Sequence, residues 1–322
     1  MIRKTLLNIA GAALIAVAVW FVADAILTNA TRLRLEVTTP DWRFWAGAAG
    51  AVGMVALSPV LWWSVLRGIG VDLPLSRLLG IWWVTNLGKY IPGKAWMVAG
   101  RAALARDHGK GRILESFVWE FVANAAGAAL VAPLLLLDDH WRPFWPMAAL
   151  AWAAAALPIV SPRLAQRLIQ APMRWLGRGR FVGGQHMDRL AAARSVLLGA
   201  LVWLGWGGIH ILLVRGVGLD VAWWALTGAF AVAWVLGYAA IVMPAGLGVR
   251  EGALVLLLSP LMVAGGAALF ALVSRTAILV AEGLMGAAGL LMWRRLSAPP
   301  PSVPMASAGA GDTPGTRQEG PG

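Results

Sequence analysis

Long apolar runs dominate the chain, and their hydrophobic positions are continuous rather than alternating. A helix needs about 20 apolar residues to cross about 30 Å of hydrocarbon. A membrane strand would alternate polar and apolar positions, and an open sheet would leave backbone groups unpaired in lipid. The pattern therefore predicts an all-α, polytopic integral membrane helix bundle with about eight transmembrane helices. These cover residues 5–27, 45–66, 116–137, 144–160, 195–214, 222–242 and 264–293, with a shorter eighth at 253–263.

Composition agrees with a membrane protein. Of 322 residues, 59% are hydrophobic and 13% are charged, which excludes a water-soluble domain of this length. There is no cysteine, so disulfides and thiolate metal sites are excluded. No metal site and no cofactor are predicted, and the lone His210 in an apolar run is expected to be a packed histidine.

The net charge of +12 would indicate a nucleic-acid partner in a soluble protein. Here the arginines fall mainly in short loops between apolar runs, so anionic lipid headgroups are the expected counter-ions and no nucleic-acid partner is predicted. The loop 160–195 has seven arginines against the single acid Asp188, which predicts that it is cytoplasmic. Counting spans outward from it places both termini in the cytoplasm.

Residues 1–296 are predicted to form one transmembrane domain. The run 5–27 follows Arg3 and Lys4 and resembles a signal peptide, but its apolar part is long for one, which favours a retained helix. Residues 297–322 are rich in Pro, Gly, Ala and Ser and are predicted to be a disordered tail.

A first broken segment lies within residues 75–105, where the sequence NLGKYIPGKAW interrupts an apolar run. Pro92 lacks an N–H group and disfavours helix in the residue before it, and Gly93 tolerates unusual backbone angles. We therefore expect one helix to end near Tyr90 and another to begin at Pro92. The segment is either a re-entrant hairpin or an amphipathic surface helix.

This break predicts an anion site. A helix that begins with proline directs free N–H groups and a partial positive charge towards its N-terminus. Lys89, Lys94 and Arg101 would add full charges there, which suits an anion and phosphate in particular. The alternative is a simple cytoplasmic turn whose lysines extend to lipid headgroups.

A second broken segment, MPAGLGVREG, covers residues 243–252. Proline and glycines again interrupt an apolar run, and Arg250 and Glu251 open the next helix. Two such segments, one in each half of a membrane protein, are typical of a central binding site formed by broken helices.

Two pairs of polar residues lie inside apolar runs. Glu120 and Asn124 are one turn apart on one helix face, and Arg275 and Glu282 are seven residues apart. A charge at mid-membrane costs about 2.5–3.5 kcal/mol on the insertion scale, so none should face lipid. They are predicted to serve in coupling or as an ion pair, with a purely structural Arg275–Glu282 pair as the alternative.

The two broken segments resemble the paired motifs of the lysylphosphatidylglycerol synthase transmembrane-region family, and the likeness extends over about residues 45–291. The first motif is matched by Lys89, Tyr90, Pro92, Gly93, Lys94, Trp96 and Arg101. The second is matched by Pro244, Gly246, Gly248, Arg250, Glu251 and Gly252. The chain departs from the family at Glu120-Phe121, where a Glu-Arg pair is frequent. Arg275 is similar to the arginine that the family places in its last helices.

The resemblance implies a stand-alone, flippase-like membrane domain in the bacterial cytoplasmic (inner) membrane. The family includes two-part enzymes with a soluble aminoacyl-transfer domain, which this sequence lacks, so aminoacyl transfer is not expected. The expected function is a lipid translocase that moves a phosphate-bearing lipid between leaflets. The expected ligand is an anionic phospholipid or a polyprenyl-phosphate-linked lipid, and Glu120 or Glu282 would carry a coupling proton.

Two alternatives to a translocase are considered. In the first, the chain is a non-transporting accessory subunit that presents lipid to an envelope glycosyltransferase or another lipid-modifying enzyme. An enzyme acting on lipid phosphate is disfavoured because the sequence has no H-E-x-x-H, G-x-S-x-G or paired-carboxylate pattern. Nucleotide hydrolysis is not the expected energy source, since no G-x-x-x-x-G-K-[ST] loop is present.

Overall fold

The computed structural model describes residues 39–91, 95–175, 187–240 and 244–296. Within these ranges every regular element is helical, which confirms the all-α prediction. Short 3-10 helices extend the α-helices at two points, Leu87–Tyr90 and Ala132–Leu137. The α-helices are α1 (Trp42–Leu57), α2 (Pro59–Gly68), α3 (Leu75–Asn86), α4 (Ala95–Leu104), α5 (Lys110–Val131), α6 (Pro146–Val160), α7 (Pro162–Trp175), α8 (Arg189–Arg215), α9 (Trp223–Ala239), α10 (Val249–Leu258) and α11 (Gly266–Leu296).

Four stretches of the described residues are long and apolar enough to cross a membrane: Trp42–Gly68, Lys110–Leu137, Arg189–Arg215 and Gly266–Trp293. A fifth is obtained if α6 and the start of α7 count as one span bent by 104°. Pro162 opens α7 directly after Ser161, which has a non-helical backbone. Proline disfavours helix in the residue before it, so α6 ends there and the chain can change direction. The described residues therefore contain fewer spans than the eight predicted, and the predicted run 5–27 lies outside them.

The bundle has two ends that the contacts define. At one end the C-terminus of α2 meets the start of α8, where a Cβ added to Gly68 would lie 3.0 Å from the Ala191 Cβ. Arg112 also donates to the Gly70 carbonyl there. We call this the basic end. At the opposite end, about 40 Å away along the 27-residue α8, the Asp41 N–H donates to the Gly216 carbonyl at 3.0 Å.

Residues 75–104, the first hairpin, leave the basic end and return to it. Arg77, near the start of α3, donates to Asp107 at 2.5 Å and to the Leu104 carbonyl at 3.1 Å, just beyond and at the end of α4. The two helices have 12 and 10 residues, so each is about 15–18 Å long and too short to span a membrane. Helix α3 packs against α11 inside the bundle and buries Ile81. This geometry favours the re-entrant hairpin over the surface helix.

The sequence-predicted break is confirmed on its N-terminal side. The 3-10 helix at the end of α3 stops at Tyr90, and Ile91 has an extended backbone. Residues Pro92, Gly93 and Lys94 lie outside the described residues, and the next described helix begins at Ala95. We call residues 87–91 the first tip.

Residues 223–258, the second hairpin, start and finish at the opposite end. Helices α9 and α10 pack against each other, and the Trp141 indole donates to the Leu257 carbonyl at 3.1 Å. The prediction of two separate spans at 222–242 and 253–263 is therefore wrong. The two apolar runs pair as one hairpin, and α10 ends at Leu258 in a turn before α11.

The tip of the second hairpin, residues 244–248, depends on left-handed backbone conformations. Ala245, Gly246 and Gly248 have φ angles of 49°, 70° and 79°, which glycine adopts without steric cost. A Cβ at Gly246 would also lie 2.7 Å from the Gly237 carbonyl oxygen. These glycines let the chain turn tightly against the end of α9, and Pro244 opens the 3-10 turn that begins the tip.

Small residues let the long helices approach closely. A Cβ added to Gly127 of α5 would lie 2.4 Å from the Ala200 backbone nitrogen of α8, and one added to Gly199 would lie 2.6 Å from the Ala123 carbonyl oxygen. Such backbone contact is typical of helix pairs in membranes. The α5–α8 pair therefore forms a fixed wall against which the two hairpins pack.

Candidate functional site

The two tips meet inside the bundle beside a cavity of about 170 Å³. The cavity lies at middle depth, because Glu282 is 16 residues, or about 24 Å, from the start of α11. Ionisable and amide side chains line it from both hairpins, α5 and α11. They are Asn86, Lys89, Tyr90, Arg101, Glu120, Asn124, Tyr238, Arg250, Arg275 and Glu282. A polar cavity inside an apolar bundle is the usual setting of a membrane binding site.

The first tip is held by a single carboxylate. Lys89 forms an ion pair with Oε1 of Glu282, and the Tyr90 hydroxyl donates to Oε2 at 2.5 Å. Glu282 is buried, and Lys89 is a quarter exposed. Because both carboxylate oxygens have a donor, this cluster is internally compensated.

The second tip presents Arg250 from the first turn of α10. Glu251 caps this helix, since its Oε2 accepts from the Gly248 N–H at 2.8 Å. Its other oxygen, Oε1, lies 3.8 Å from Arg250 Nε and 3.6 Å from Arg275 Nη1. Oε1 of Glu251 is thus shared by two guanidinium groups, and it forms a hydrogen bond with neither of them.

Arg250 and Arg275 are 7% and 4% exposed. The Arg250 Cζ lies 5.3 Å from the Phe230 ring centre, and the Arg275 Cζ lies 5.6 Å from that of Tyr90. In both residues Nε and Nη2 are buried without a hydrogen-bond partner among the residues that the structure describes. A buried charged donor without a partner costs several kcal/mol, so the two groups would suit an anion with several acceptor oxygens.

A second ion pair forms another wall of the cavity. Arg101 of α4 is 2% exposed and contacts Oε2 of Glu120 in α5. Oε1 of Glu120 accepts from the Trp82 indole at 2.8 Å. The Arg101 guanidinium also lies over the Trp62 ring at 4.6 Å, which adds a cation–π contact. Both charges are therefore compensated within the wall.

An aromatic shelf formed by Phe121, Trp234 and Tyr238 continues this wall. The Phe121 and Tyr238 rings stack at 4.3 Å, and those of Trp234 and Tyr238 at 5.0 Å. Asn124, one turn beyond Glu120, lines the cavity with its Oδ1 buried and without a hydrogen-bond partner in the described part of the chain.

The structure brings most of the predicted site residues together. Lys89, Tyr90 and Arg101 of the first motif and Arg250 of the second line one cavity with Glu120, Asn124, Arg275 and Glu282. Glu251 lies behind Arg250, and Gly252 has open space beside it. Trp96 does not line the cavity: it is 62% exposed on α4. The predicted site residues Lys94, Pro92 and Gly93 lie outside the described residues.

One predicted pairing is wrong. Arg275 and Glu282 do not form an ion pair with each other in the described structure, because Arg275 faces Glu251 and Glu282 faces Lys89. Residues seven apart on a helix are separated by about 10.5 Å along its axis, and each here meets a side chain from a different hairpin. His210 is a packed histidine as expected, buried beside the Ser274 hydroxyl at 3.0 Å.

The sequence analysis did not identify Asn86, Trp82 and Tyr238 as site residues. Asn86 directly precedes the first tip and lines the cavity, and a polar residue there is a signal that the sequence offers. Trp82 and Tyr238 carried no such signal, since aromatic residues near the ends of apolar runs are also typical of interfacial anchors.

Comparison with known families gives one match: the family described as lysylphosphatidylglycerol synthase TM region matches residues 8–286. The chain matches no curated protein and no solved structure.

Proposed function

The chain belongs to the lysylphosphatidylglycerol synthase TM-region family, a family of membrane proteins linked to lipid handling, and from this premise we propose that it is a flippase-like translocase. It moves a phosphate-bearing lipid or lipid-linked precursor between the leaflets of the membrane. The single observation that carries the proposal is the pair of buried guanidinium groups, Arg250 and Arg275, beside a mid-depth cavity; in both, Nε and Nη2 have no hydrogen-bond partner among the described residues.

A lipid phosphate suits this pair because its oxygens accept several charge-assisted hydrogen bonds at once. Arginine presents its donors in a planar fork that matches phosphate geometry. Glu251 and Glu282 act as internal counter-ions that keep the cavity from holding bare charges while no lipid is bound. An arriving phosphate replaces the distant Glu251 carboxylate at the two guanidinium groups.

The two hairpins supply the path. Each tip carries non-helical backbone at membrane depth, which lipid would penalise unless protein or a polar cavity surrounds it. Here the tips contact each other and line the cavity. A relative movement of one hairpin therefore opens the cavity towards one end of the bundle without exposing unpaired backbone to lipid. Protonation of Glu282 or Glu120, which hold Lys89 and Arg101 of the first hairpin, would couple that movement to a proton.

We also propose the bacterial inner membrane, with the basic end in the cytoplasm. Among the described residues, cations outnumber acids at that end, whereas the opposite end has more acids than cations. The basic-end cations are Arg67, Arg77, Arg106, Lys110, Arg112, Arg163, Arg167, Arg189 and Arg194, against Asp72, Asp107, Glu115 and Asp188. An excess of Lys and Arg is typical of cytoplasmic loops. Together with the span predicted at 5–27, this orientation agrees with the expectation that both termini are cytoplasmic.

Reconstituted vesicles test the proposal. Fluorescent phosphatidylglycerol in the inner leaflet should become accessible to an external quencher when the purified protein is present. Arg250→Gln and Arg275→Gln should lower the initial rate at least about tenfold, since each removes a charged donor to the phosphate. Lys94→Gln should act alike if the sequence-based prediction for that residue is right. Lys110→Gln, an exposed cation at the basic end, is the matched control and should keep the wild-type rate.

The same vesicles distinguish the translocase from the alternative function, an accessory subunit. An accessory subunit that presents lipid to an envelope enzyme would bind phosphatidylglycerol through Arg250 and Arg275 but would not move it. Binding that depends on both arginines, together with no lipid movement, would replace the translocase by that subunit. If neither arginine affects binding or transport, the site itself is misassigned.

A further inference from the structure

We infer that α7 is an in-plane helix that docks on the anionic headgroups of the leaflet at the basic end. Its surface lies outside the cavity, and its partner is the membrane itself rather than a transported lipid. Three observations carry this: the bend between α6 and α7, the different surroundings of the α7 faces, and a buried hydrogen bond to α5. The side chains concerned are those of residues 160–168.

The bend turns α7 away from the direction of the membrane spans. Helix α6 ends at Val160, and α7 over Pro162–Leu168 is inclined to it by 104°. A helix inclined so strongly to a membrane-crossing helix runs roughly parallel to the membrane plane. It does so at the basic end, because Gln166 contacts Glu115 in the second turn of α5, which starts there. Helix α7 therefore lies at the level of the lipid headgroups.

Two faces of α7 differ in burial and charge. Successive side chains of a helix are about 100° apart around its axis. Pro162, Ala165 and Gln166 are buried against the bundle. Arg163 and Arg167 are exposed on a second face, about 40° apart. Among the described residues neither arginine forms an ion pair, and residues 160–168 contain no acid. Both charges are therefore available to anions at the membrane surface.

The third face of α7 is apolar and exposed. Leu164 and Leu168 are 44% and 55% exposed, and Val160, at the end of α6, is 62% exposed. Exposed apolar side chains therefore occur on both sides of the bend. A helix that lies in the interface buries such a face at the boundary between headgroups and acyl chains. A soluble partner would have to enter the bilayer surface to reach it, which favours lipid as the occupant.

A buried hydrogen bond fixes the rotation of α7 about its axis. The Gln166 side-chain nitrogen, Nε2, donates to Oε1 of Glu115 at 2.6 Å, and both residues are buried. Rotation of the helix would break this bond and leave a buried polar group unsatisfied. The fixed rotation holds the leucine face and the arginine face of α7 in constant positions, one towards acyl chains and the other towards headgroups.

The charge of α7 identifies the leaflet as anionic. A helix with cations on one exposed face and leucines on the next is typical of interfacial helices that contact anionic lipids. Each surface cation contributes about fivefold to binding to an anionic leaflet. Arg163 and Arg167 therefore give α7 a preference for anionic over zwitterionic lipid, whereas Leu164 and Leu168 contact the acyl chains of either.

Lipid contact at α7 is measured in vesicles of phosphatidylcholine and phosphatidylserine, with a fluorescent label on Leu164→Cys of the cysteine-free chain. Bromines on the acyl chains of one lipid at a time quench a label that those chains touch. Both lipids should quench it, with a local preference of about fivefold for phosphatidylserine. The preference should fall at about 1 M salt, which screens surface charges. A label on Leu201→Cys, an exposed position midway along α8, is the reference and should be quenched equally by both.

The arginines are tested with the label kept at position 164 and the melting temperature recorded. The double variant Arg163→Gln/Arg167→Gln should lose the preference for phosphatidylserine, while quenching by phosphatidylcholine remains because the leucine face is still present. Lys110→Gln is the matched control, since Lys110 is an exposed cation at the same end but on α5. This control should keep the preference of the wild-type chain.

Three outcomes would overturn the inference. A label at position 164 that neither lipid quenches would mean that protein, not lipid, covers the apolar face of α7. Equal quenching by the two lipids, or a preference that survives in the double variant, would remove the anionic leaflet as the partner. Arg250→Gln, in the cavity, should leave the preference intact, and its loss there would assign the preference to the cavity. Because lipid contact is read at α7, either result leaves the translocase proposal to its own transport assay.

Discussion

The Tyr90 hydroxyl, at the tip of the first hairpin, donates a hydrogen bond of 2.5 Å to Oε2 of Glu282 in the middle of the last helix. Lys89 forms an ion pair with the other oxygen of the same carboxylate. One acid therefore fixes the position of the first tip, and its removal would free a cation and a hydroxyl beside the cavity.

Glu282→Gln should destabilise the protein by about 1–3 kcal/mol. Breaking a buried ion pair leaves its partner uncompensated, and we reduce the usual penalty because Lys89 is a quarter exposed. The double variant Lys89→Gln/Glu282→Gln removes both charges and should recover part of the loss. Reversible unfolding in mixed micelles measures the two single variants, Glu282→Gln and Lys89→Gln, and the double variant.

The double-mutant cycle decides whether the pair matters. If the two single effects simply add in the double variant, Lys89 and Glu282 are not coupled, and the tip is held by other contacts. Phosphatidylglycerol should also protect Glu282→Gln more than it protects wild type, since the freed Lys89 becomes available to an anion.

Gly127→Ala should lower stability, because an added Cβ would lie 2.4 Å from the backbone nitrogen of Ala200. Backbone atoms cannot give way as a flexible side chain can, so α5 and α8 must separate, at a cost of about 1–3 kcal/mol. Gly53→Ala is the matched control: Gly53 also lies within a helix but has nothing within 4 Å of an added Cβ. Its effect should be neutral or slightly stabilising. Equal effects of the two changes on the melting temperature would contradict this close packing.

The base of the first hairpin should respond to acid. The hydrogen bonds from Arg77 lower the pKa of Asp107, which lies outside the membrane-spanning segments, from 3.8 to about 2. A lowered folded-state pKa means that the stabilisation is complete above the unfolded value and is lost as pH falls from about 4 to about 2. The amide protection factors in residues 75–104, which correct for the pH dependence of intrinsic exchange, should therefore be constant from pH 7 to 5 and fall between about pH 4 and about pH 2. Asp107→Asn should speed exchange there at pH 7, and unchanged exchange would show that the ion pair does not hold the hairpin closed.

Sequence predicted the two breaks and most of the site because their signals are local. Pro92 and the glycines of residues 244–248 act on the backbone next to them, so their positions are sufficient. Charged residues in apolar runs cannot face lipid, which is why Glu120 and Arg275 are predicted to face the interior of the bundle. These rules need no knowledge of which helices are neighbours.

Partner choice could not be predicted in this way. The predicted Arg275–Glu282 pairing is wrong because spacing within one helix does not reveal that two hairpins supply closer partners. The second hairpin was divided into two spans because run length does not encode the direction in which a helix returns. The exposed position of Trp96 has the same cause: a motif residue can face outward from its helix.

The last prediction concerns the two hairpins and the orientation of the chain. The sequence has no cysteine, so single cysteines can be introduced at Asp72, Lys110, Asp220 and Ser259, all of which are exposed. The first two flank the first hairpin at the basic end, and the last two flank the second hairpin at the opposite end. A membrane-impermeant maleimide should label the first two only in inside-out vesicles and the last two only in intact cells.

Each pair tests its own hairpin. If positions 72 and 110 react from different sides, residues 75–104 cross the membrane and the first hairpin is not re-entrant. If positions 220 and 259 react from different sides, the same holds for residues 223–258. The members of each pair could also react from the same side, but from the side opposite to that expected. Both re-entrant hairpins would then be supported, and the cytoplasmic orientation of the basic end would be wrong. Helices α3 and α4 are each too short to cross the hydrocarbon, and Arg77 links the start of α3 to the end of α4. We therefore expect positions 72 and 110 to react from the same side of the membrane.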